Sequence, residues 1–174
     1  MVVPPSPSSS TPGTPATPPM PFGVFFIYGR QFSAFHCRFR DIARGGLRIV
    51  TPANADQYSL ESARHFDEVY GLSYAQQLKN KDIPEGGSKA VILVHTPSVP
   101  PQARHFTVRK CVKAFTDSVL DLIAKESVGK LVDYYNKDEL LYLGPDEQVI
   151  PPDIDWIVRR AAIRGYPIPA AFMR

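Results

Sequence analysis

The run Ala90 to His95, AVILVH, is apolar at every position but the last. So short a run reads as a strand covered on both faces, and such a strand needs helices above and below it. The fold class that follows is α/β, a mixed sheet with helices packed on it. Directly upstream stand Gly86, Gly87, Ser88 and Lys89. A glycine pair ahead of a strand reads as a tight turn, where positive φ carries no steric penalty. Lys89 then lies between turn and buried strand, and lost solvation there favours its neutral form and lowers its pKa toward the working range.

The elements around this strand follow from periodicity. VFFIYG, ending at Gly29, and the alternating SAFHCRFRD, from Ser33, predict two paired strands, with Phe35, Cys37 and Phe39 on one face and His36, Arg38 and Arg40 on the other. ARGGLRIV supplies a second glycine pair, Gly45 and Gly46, behind Arg44. Phe66, Val69, Tyr70, Ser73 and Leu78 recur at helical spacing between Leu60 and Asn80, and Gly71 within that helix points to close packing. A second helix carries Val108, Cys111, Val112, Phe115, Val119, Leu122 and Ile123. Leu140 to Leu143 reads as a strand, Gly144, Pro145 and Asp146 as a turn, and Asp153 to Arg164 as a helix stopped by Gly165.

Residues 1–21 are dominated by Pro, Ser and Thr, a composition that cannot bury enough apolar surface to offset ordering, so they read as a disordered leader before one domain over 22–174. The leader lacks the arginines of a mitochondrial presequence. A net charge of +3 without a basic block speaks against nucleic acid, and no apolar stretch has membrane-spanning length, so neither partner is expected. Cys37 and Cys111 form no CxxC pair, and the four histidines have no metal spacing, so no metal site is expected. An intracellular chain follows, cytoplasmic or, as the alternative, mitochondrial.

Four polar residues stand beside turns: Arg44, Lys79, Lys89 and Asp146. A lysine and an aspartate so placed can exchange protons with a bound substrate. Arginine's planar fork pairs a carboxylate through two hydrogen bonds, so Arg44 suits anchoring better than proton transfer. Neither GxxxxGK[ST] nor GxGxxG occurs, so no phosphate or dinucleotide loop is present. Spacing alone leads to an α/β domain with an anion site, and each of the four could equally be an ordinary surface charge or turn residue.

At these residues the chain resembles a family. FRDIARGGLRIV, DEVYGLSYAQQLKNKDIPEGGSKAVIL, YLGPDEQ and RGYPIPAAFM are similar to the catalytic segment of the large NAD-specific glutamate dehydrogenases of eukaryotic type. The resemblance implies a substrate-binding domain of the dimerisation type, acting in oxidative deamination of L-glutamate to 2-oxoglutarate and ammonia. It implies that Lys89 activates water for attack on the imine carbon and that Asp146 shuttles protons at the α-amino group. Lys79 is implied to hold the α-carboxylate and Arg44 the side-chain carboxylate, with Gly45, Gly46, Gly86 and Gly87 letting backbone approach substrate. NAD is implied as cofactor, bound by a domain not present in this chain, which reads as a fragment or truncated gene model, inactive by itself. A homo-oligomer is implied for the full-length form. One alternative is a non-catalytic dicarboxylate-binding or oligomerisation remnant. A dehydrogenase of Leu, Val or Phe is a further rival, against which Arg44 argues, because an apolar substrate would leave a buried guanidinium unpaired.

Overall fold

The computed structural model of the chain describes residues 18–80, 82–124, 132 and 138–173. Of the expected leader, residues 1–17 lie outside the described residues; Pro19, near its end, accepts a hydrogen bond from the Tyr70 hydroxyl at 2.8 Å. The strands are β1 (Gly23–Gly29), β2 (Phe32–Arg38), β3 (Ala43–Arg44), β4 (Gly46–Val50), β5 (Gly86–Val94) and β6 (Gly144–Pro145). They form one mixed sheet in the order β1-β2-β5-β4-β6, with β3 also on β5. β1, β2 and β5 run antiparallel in turn, while β4 is parallel to both β5 and β6. Helix α1 (Ala55–Lys79) packs on β5 and β2. Helices α2 (Arg104–Ile123) and α3 (Pro151–Ile163) cover the other face.

β5 explains this layering. Its alternate residues Ala90, Ile92 and Val94 join the larger core with Leu47, Ile49, Val112, Phe115 and Ile157, while Val91 meets Cys37 and Val69 under α1. A strand buried on both faces is the arrangement its uninterrupted apolar sequence dictates.

Several boundaries differ from the sequence expectation for definable reasons. β5 begins at Gly86, four residues before the apolar run, so Gly86 and Gly87 are strand residues and not a turn. They are small because neighbours press on them: a Cβ on Gly87 would enter the α1 backbone at Ser73 and Gln77, and one on Gly86 would lie 2.7 Å from the Arg40 side chain. α1 begins at Ala55, where the Asn54 side chain accepts from the Gln57 amide at 2.9 Å and Gln57 returns a bond to the Ala53 amide, a reciprocal cap. Its buried line is His65, Val69 and Ser73, and Leu78 is 59% exposed. Gly71 has nothing within 4 Å of where a Cβ would be, so the close packing expected there is absent. The strand expected at Leu140 to Leu143 is instead the short β6, with Leu140 making one bridge to Ile42.

The face under α2 and α3 also buries polar side chains from β2. Arg38 pairs with Glu139 and lies against the Phe22 and Phe25 rings, and burial lowers its pKa to about 10. His36 is fully enclosed, both ring nitrogens lack a hydrogen-bond partner, and burial together with the Arg38 charge lowers its pKa from 6.5 to about 3.

Two outcomes follow. Gly71→Ala should raise unfolding stability by about 1 kcal/mol, since it relieves glycine's entropic cost in a helix, whereas Gly87→Ala should lower it; chemical denaturation midpoints of the two variants decide. The unfolded state of His36 takes up a proton below its ordinary value of 6.5 that the folded state refuses down to about 3. The stability it permits is therefore complete above that ordinary value and drains away as pH falls through this window. His36→Leu should flatten the fall in melting temperature between those limits, and an unchanged slope would show that other groups set it.

Candidate active site

The parallel ladder beside β5 fixes the site. Ala43 pairs with Gly86 and Leu47 with Ala90 in one continuous register, which sets Gly45 beside Ser88 and Gly46 beside Lys89. A Cβ on Gly45 would collide with the Ser88 carbonyl, so the ladder passes this point only as glycine. Gly46 in turn pairs with Gly144 of β6. Lys89, Gly46 and Gly144 thus form one row across three strands, with a single side chain in it. That side chain crosses β4 over Gly46 and reaches Asp146, just past β6, where Lys89 Nζ donates to Oδ2. A Cβ on Gly46 would lie 3.1 Å from the Asp146 Cβ and 3.7 Å from Lys89 Nζ. The glycine keeps the lane open.

Arg48, two residues along β4 and so on the same face as Gly46, completes the cluster. Its Nη1 donates to Glu68 of α1 at 3.0 Å, and its Nε lies 3.4 Å from Glu147 and 3.8 Å from Asp146. Burial raises the pKa of Asp146, but the Lys89 hydrogen bond and charge, the Glu147 amide and the Arg48 charge outweigh it and hold the carboxyl below its ordinary value. Lys89 is only 14% exposed, as its place beside the buried strand implies, and its charge is met there by Asp146.

The other expected residues surround this pair without touching it. Arg44, at the end of β3, aligns with Gly87. It is 52% exposed and its Nε lies 3.1 Å from Glu85, so it is not the buried, substrate-dependent guanidinium expected, and the case it made against apolar amino acids lapses. Lys79 ends α1 exposed, and among the described residues it makes no hydrogen bond or ion pair. The α1 terminus is tied to the start of β5, because Asn80 Nδ2 donates to the Gly86 carbonyl at 3.0 Å and the Gly87 amide donates to Gln77 Oε1 at 2.8 Å. Lys79 and Arg44 therefore stand at the same end of β5, upstream of Lys89.

Arg48, Glu68 and Glu147 were not singled out in the sequence. The signal for Arg48 was its place two residues after Gly46 in a strand, legible once β4 is known to begin at that glycine; Glu68 becomes legible only when α1 is placed over β4. A cleft of about 640 Å³ borders the cluster on the α1 side, with Arg48, Glu68 and Glu147 in its wall together with Glu61 and Asp67. Lys89 and Asp146 do not line it, and Arg64 joins Arg48 there as a second cation among the carboxylates. Among the described residues no His, Cys, Asp and Glu group could hold a metal ion, and no helix is long and apolar enough to cross a membrane.

Residues 8–143 match a family model described as bacterial NAD-glutamate dehydrogenase, catalytic domain. The NAD-specific glutamate dehydrogenase of Neurospora crassa is 44% identical over 150 residues, covering 84% of this chain and 14% of that protein. The enzyme of the same name from Saccharomyces cerevisiae is 42% identical over 148 residues, covering 84% and 13%. The chain thus spans 13–14% of the length of these curated relatives. Among solved structures, L-tryptophan dehydrogenase from Nostoc punctiforme shares the fold with a TM-score of 0.52 at 18% identity, covering 82% of this chain and 36% of the other. A hetero-hexameric glutamate dehydrogenase from Thermus thermophilus in a leucine-bound form does so with a TM-score of 0.52 at 20% identity, covering 82% and 31%. These likenesses confirm the α/β mixed sheet.

Because the folded pKa of Asp146 is depressed, its pairing contributes stability above the ordinary carboxylate value, and that contribution is lost as pH falls through the folded value. Lys89→Met should remove most of this acid-limb dependence, leaving the Arg48 share. Acid unfolding followed by circular dichroism below pH 5 measures it, and identical acid limbs for the two proteins would contradict the pairing.

Proposed function

The chain belongs to the NAD-glutamate dehydrogenase catalytic-domain family, and on that premise we propose that it carries the substrate-binding and proton-handling part of an enzyme that deaminates L-glutamate oxidatively. The overall change is L-glutamate, NAD and water to 2-oxoglutarate, ammonia and NADH. The observation that carries this reading is the Lys89–Asp146 pair seated across Gly46. Asp146, held ionised, is a base for the substrate α-ammonium group. Lys89, within reach of the same carboxylate, passes a proton to or from the water that attacks the imine carbon. Both are half enclosed, where charge–charge interactions exceed their strength in water.

Anchoring falls to the other two cations. Lys79, exposed and unpaired among the described residues, suits the α-carboxylate. Arg44 takes the side-chain carboxylate by exchanging Glu85 for it. Gly46 keeps a side chain out of the lane between Lys89 and Asp146, whereas a Cβ on Gly45, Gly86 or Gly87 would meet Ser88, Arg40 or the α1 backbone, so those three act on the site through packing. Preference for glutamate over apolar amino acids rests on family membership and on this cationic surround, not on Arg44 alone.

The starts of α1 and α3 do not suit a dinucleotide. The turn into α1 is closed by Asn54 and Gln57, and the turn into α3 presents Asp153, a carboxylate where a pyrophosphate would need amide donors. NAD is accordingly assigned to a domain other than this one, and no step is derived through it. The full-length form is proposed to be a homo-oligomer, for which β1, at the sheet edge, offers the exposed Val24, Phe26 and Tyr28. A location in the cytoplasm is proposed, with the mitochondrion as the alternative.

Calorimetric titration of the 174-residue chain with 2-oxoglutarate tests the reading. Saturable binding should weaken by at least tenfold in Lys79→Ala, and Lys89→Ala should weaken it less, since Lys89 is engaged by Asp146. A folded wild-type chain that binds nothing would favour a non-catalytic remnant of such an enzyme.

A further inference from the structure

Gln148 has φ 62, and no other non-glycine among the described residues has a positive φ. Only glycine, and less readily asparagine, takes this conformation without strain, so a glutamine here needs a compensating reason. Its side chain supplies one. Nε2 donates to the Ile49 carbonyl at 3.0 Å, and Oε1 accepts from the Thr51 hydroxyl at 3.0 Å, so one amide grips β4 and the residue after it on both of its polar atoms. Its own carbonyl accepts from Arg109 Nη2 of α2 at 2.9 Å. Arg109 in turn pairs with Asp153, whose Oδ2 accepts from the Ile150 amide at 3.1 Å.

The segment held in this way is the one that bears Asp146. The Ile49 amide donates to the Glu147 carbonyl at 3.0 Å, and the Val149 amide donates to the Asp146 carbonyl at 3.2 Å. Asp146 stands at the end of a two-residue strand, too short to fix a carboxylate by its ladder alone. The grip on both sides of Gln148 replaces the missing strand length.

We propose that Gln148, braced by Arg109, is a positioning residue that sets the Asp146 carboxylate against Lys89. The functional weight of that placement rests on the reading of Asp146 as the proton-handling carboxylate. A purely structural role makes the opposite forecast for one substitution. Glycine adopts φ 62 freely, so Gln148→Gly relieves strain while deleting both side-chain bonds to β4 and its flank.

The test is a pH titration of side-chain carboxyl carbons by nuclear magnetic resonance in the full 174-residue chain, with Asp146 assigned against Asp146→Asn. Gln148→Gly should stay folded, because relief of the backbone strain offsets part of what the lost bonds cost, yet its Asp146 midpoint should move up toward the ordinary value of 3.8. A folded Gln148→Gly with an unmoved midpoint overturns the proposal. Should that variant not fold, Thr51→Val decides: it removes one hydroxyl at an exposed contact, and a smaller upward shift supports the proposal while none overturns it. The titration contains no substrate, so its result stands apart from the 2-oxoglutarate titration, which bears on the glutamate reading alone.

Discussion

The reach of one lysine over one glycine organises this molecule. Strands in a sheet lie about 4.8 Å apart, so a side chain on β5 meets a residue two strands away only if the strand between them presents no side chain at the crossing. Gly46 meets that condition, and the continuous register of β3 and β4 on β5 brings it beside Lys89. Gly45 lets the β3–β4 line stay in register past the Ser88 carbonyl, and Gly87 lets α1 settle onto β5. Each glycine is therefore a statement about distance. None of the four in the two pairs has a positive φ.

That distinction marks the limit of what the sequence discloses. The strand Ala90 to His95 is legible because burial on both faces needs an apolar side chain at every position, α1 and α2 are legible from helical spacing, and α3 from the prolines at its start and Gly165 after it. The glycine pairs invite the commoner explanation, a turn, since local sequence carries φ preferences but not the identity of a neighbour from a distant segment. β6 is misplaced for a related reason. Leu141 and Leu143 are apolar because α2 and α3 bury them in the core, not because they hold a ladder, and the ladder falls on the unpromising pair Gly144–Pro145. The site shows the same division. Lys89, Asp146, Lys79 and Arg44 stand out in the sequence by their places beside turns and take their expected roles from the family strings, whereas Arg48, Glu68 and Gln148 act through contacts between β4, α1 and the loop after β6, which no single segment records.

The opposite face bears on the site as well. Tyr166 donates its hydroxyl proton to the Glu139 carbonyl at 2.6 Å and accepts from the Leu141 amide at 3.1 Å. Glu139 meets the buried Arg38 of β2. The segment leading into β6 is thus fixed at its start by Tyr166 and Arg38 and at its end by Gln148 and Arg109. This gives the RGYPIP string a physical role: its tyrosine holds in place the chain that carries Asp146, although it lies across the sheet from the Lys89–Asp146 pair.

Open and enclosed cations separate along β5. At its first residues stand cations open to solvent, Arg44 paired with Glu85 and Lys79 unpaired among the described residues. Three residues on stands Lys89, enclosed and already neutralised by Asp146. The uncompensated positive charge therefore lies at the sheet end and not at the Lys89–Asp146 pair. On the proposed reading, pairing Lys89 with an aspartate that is itself braced from two sides suits it to carrying a proton rather than to anchoring, and leaves binding to groups that can give up their partners at little cost.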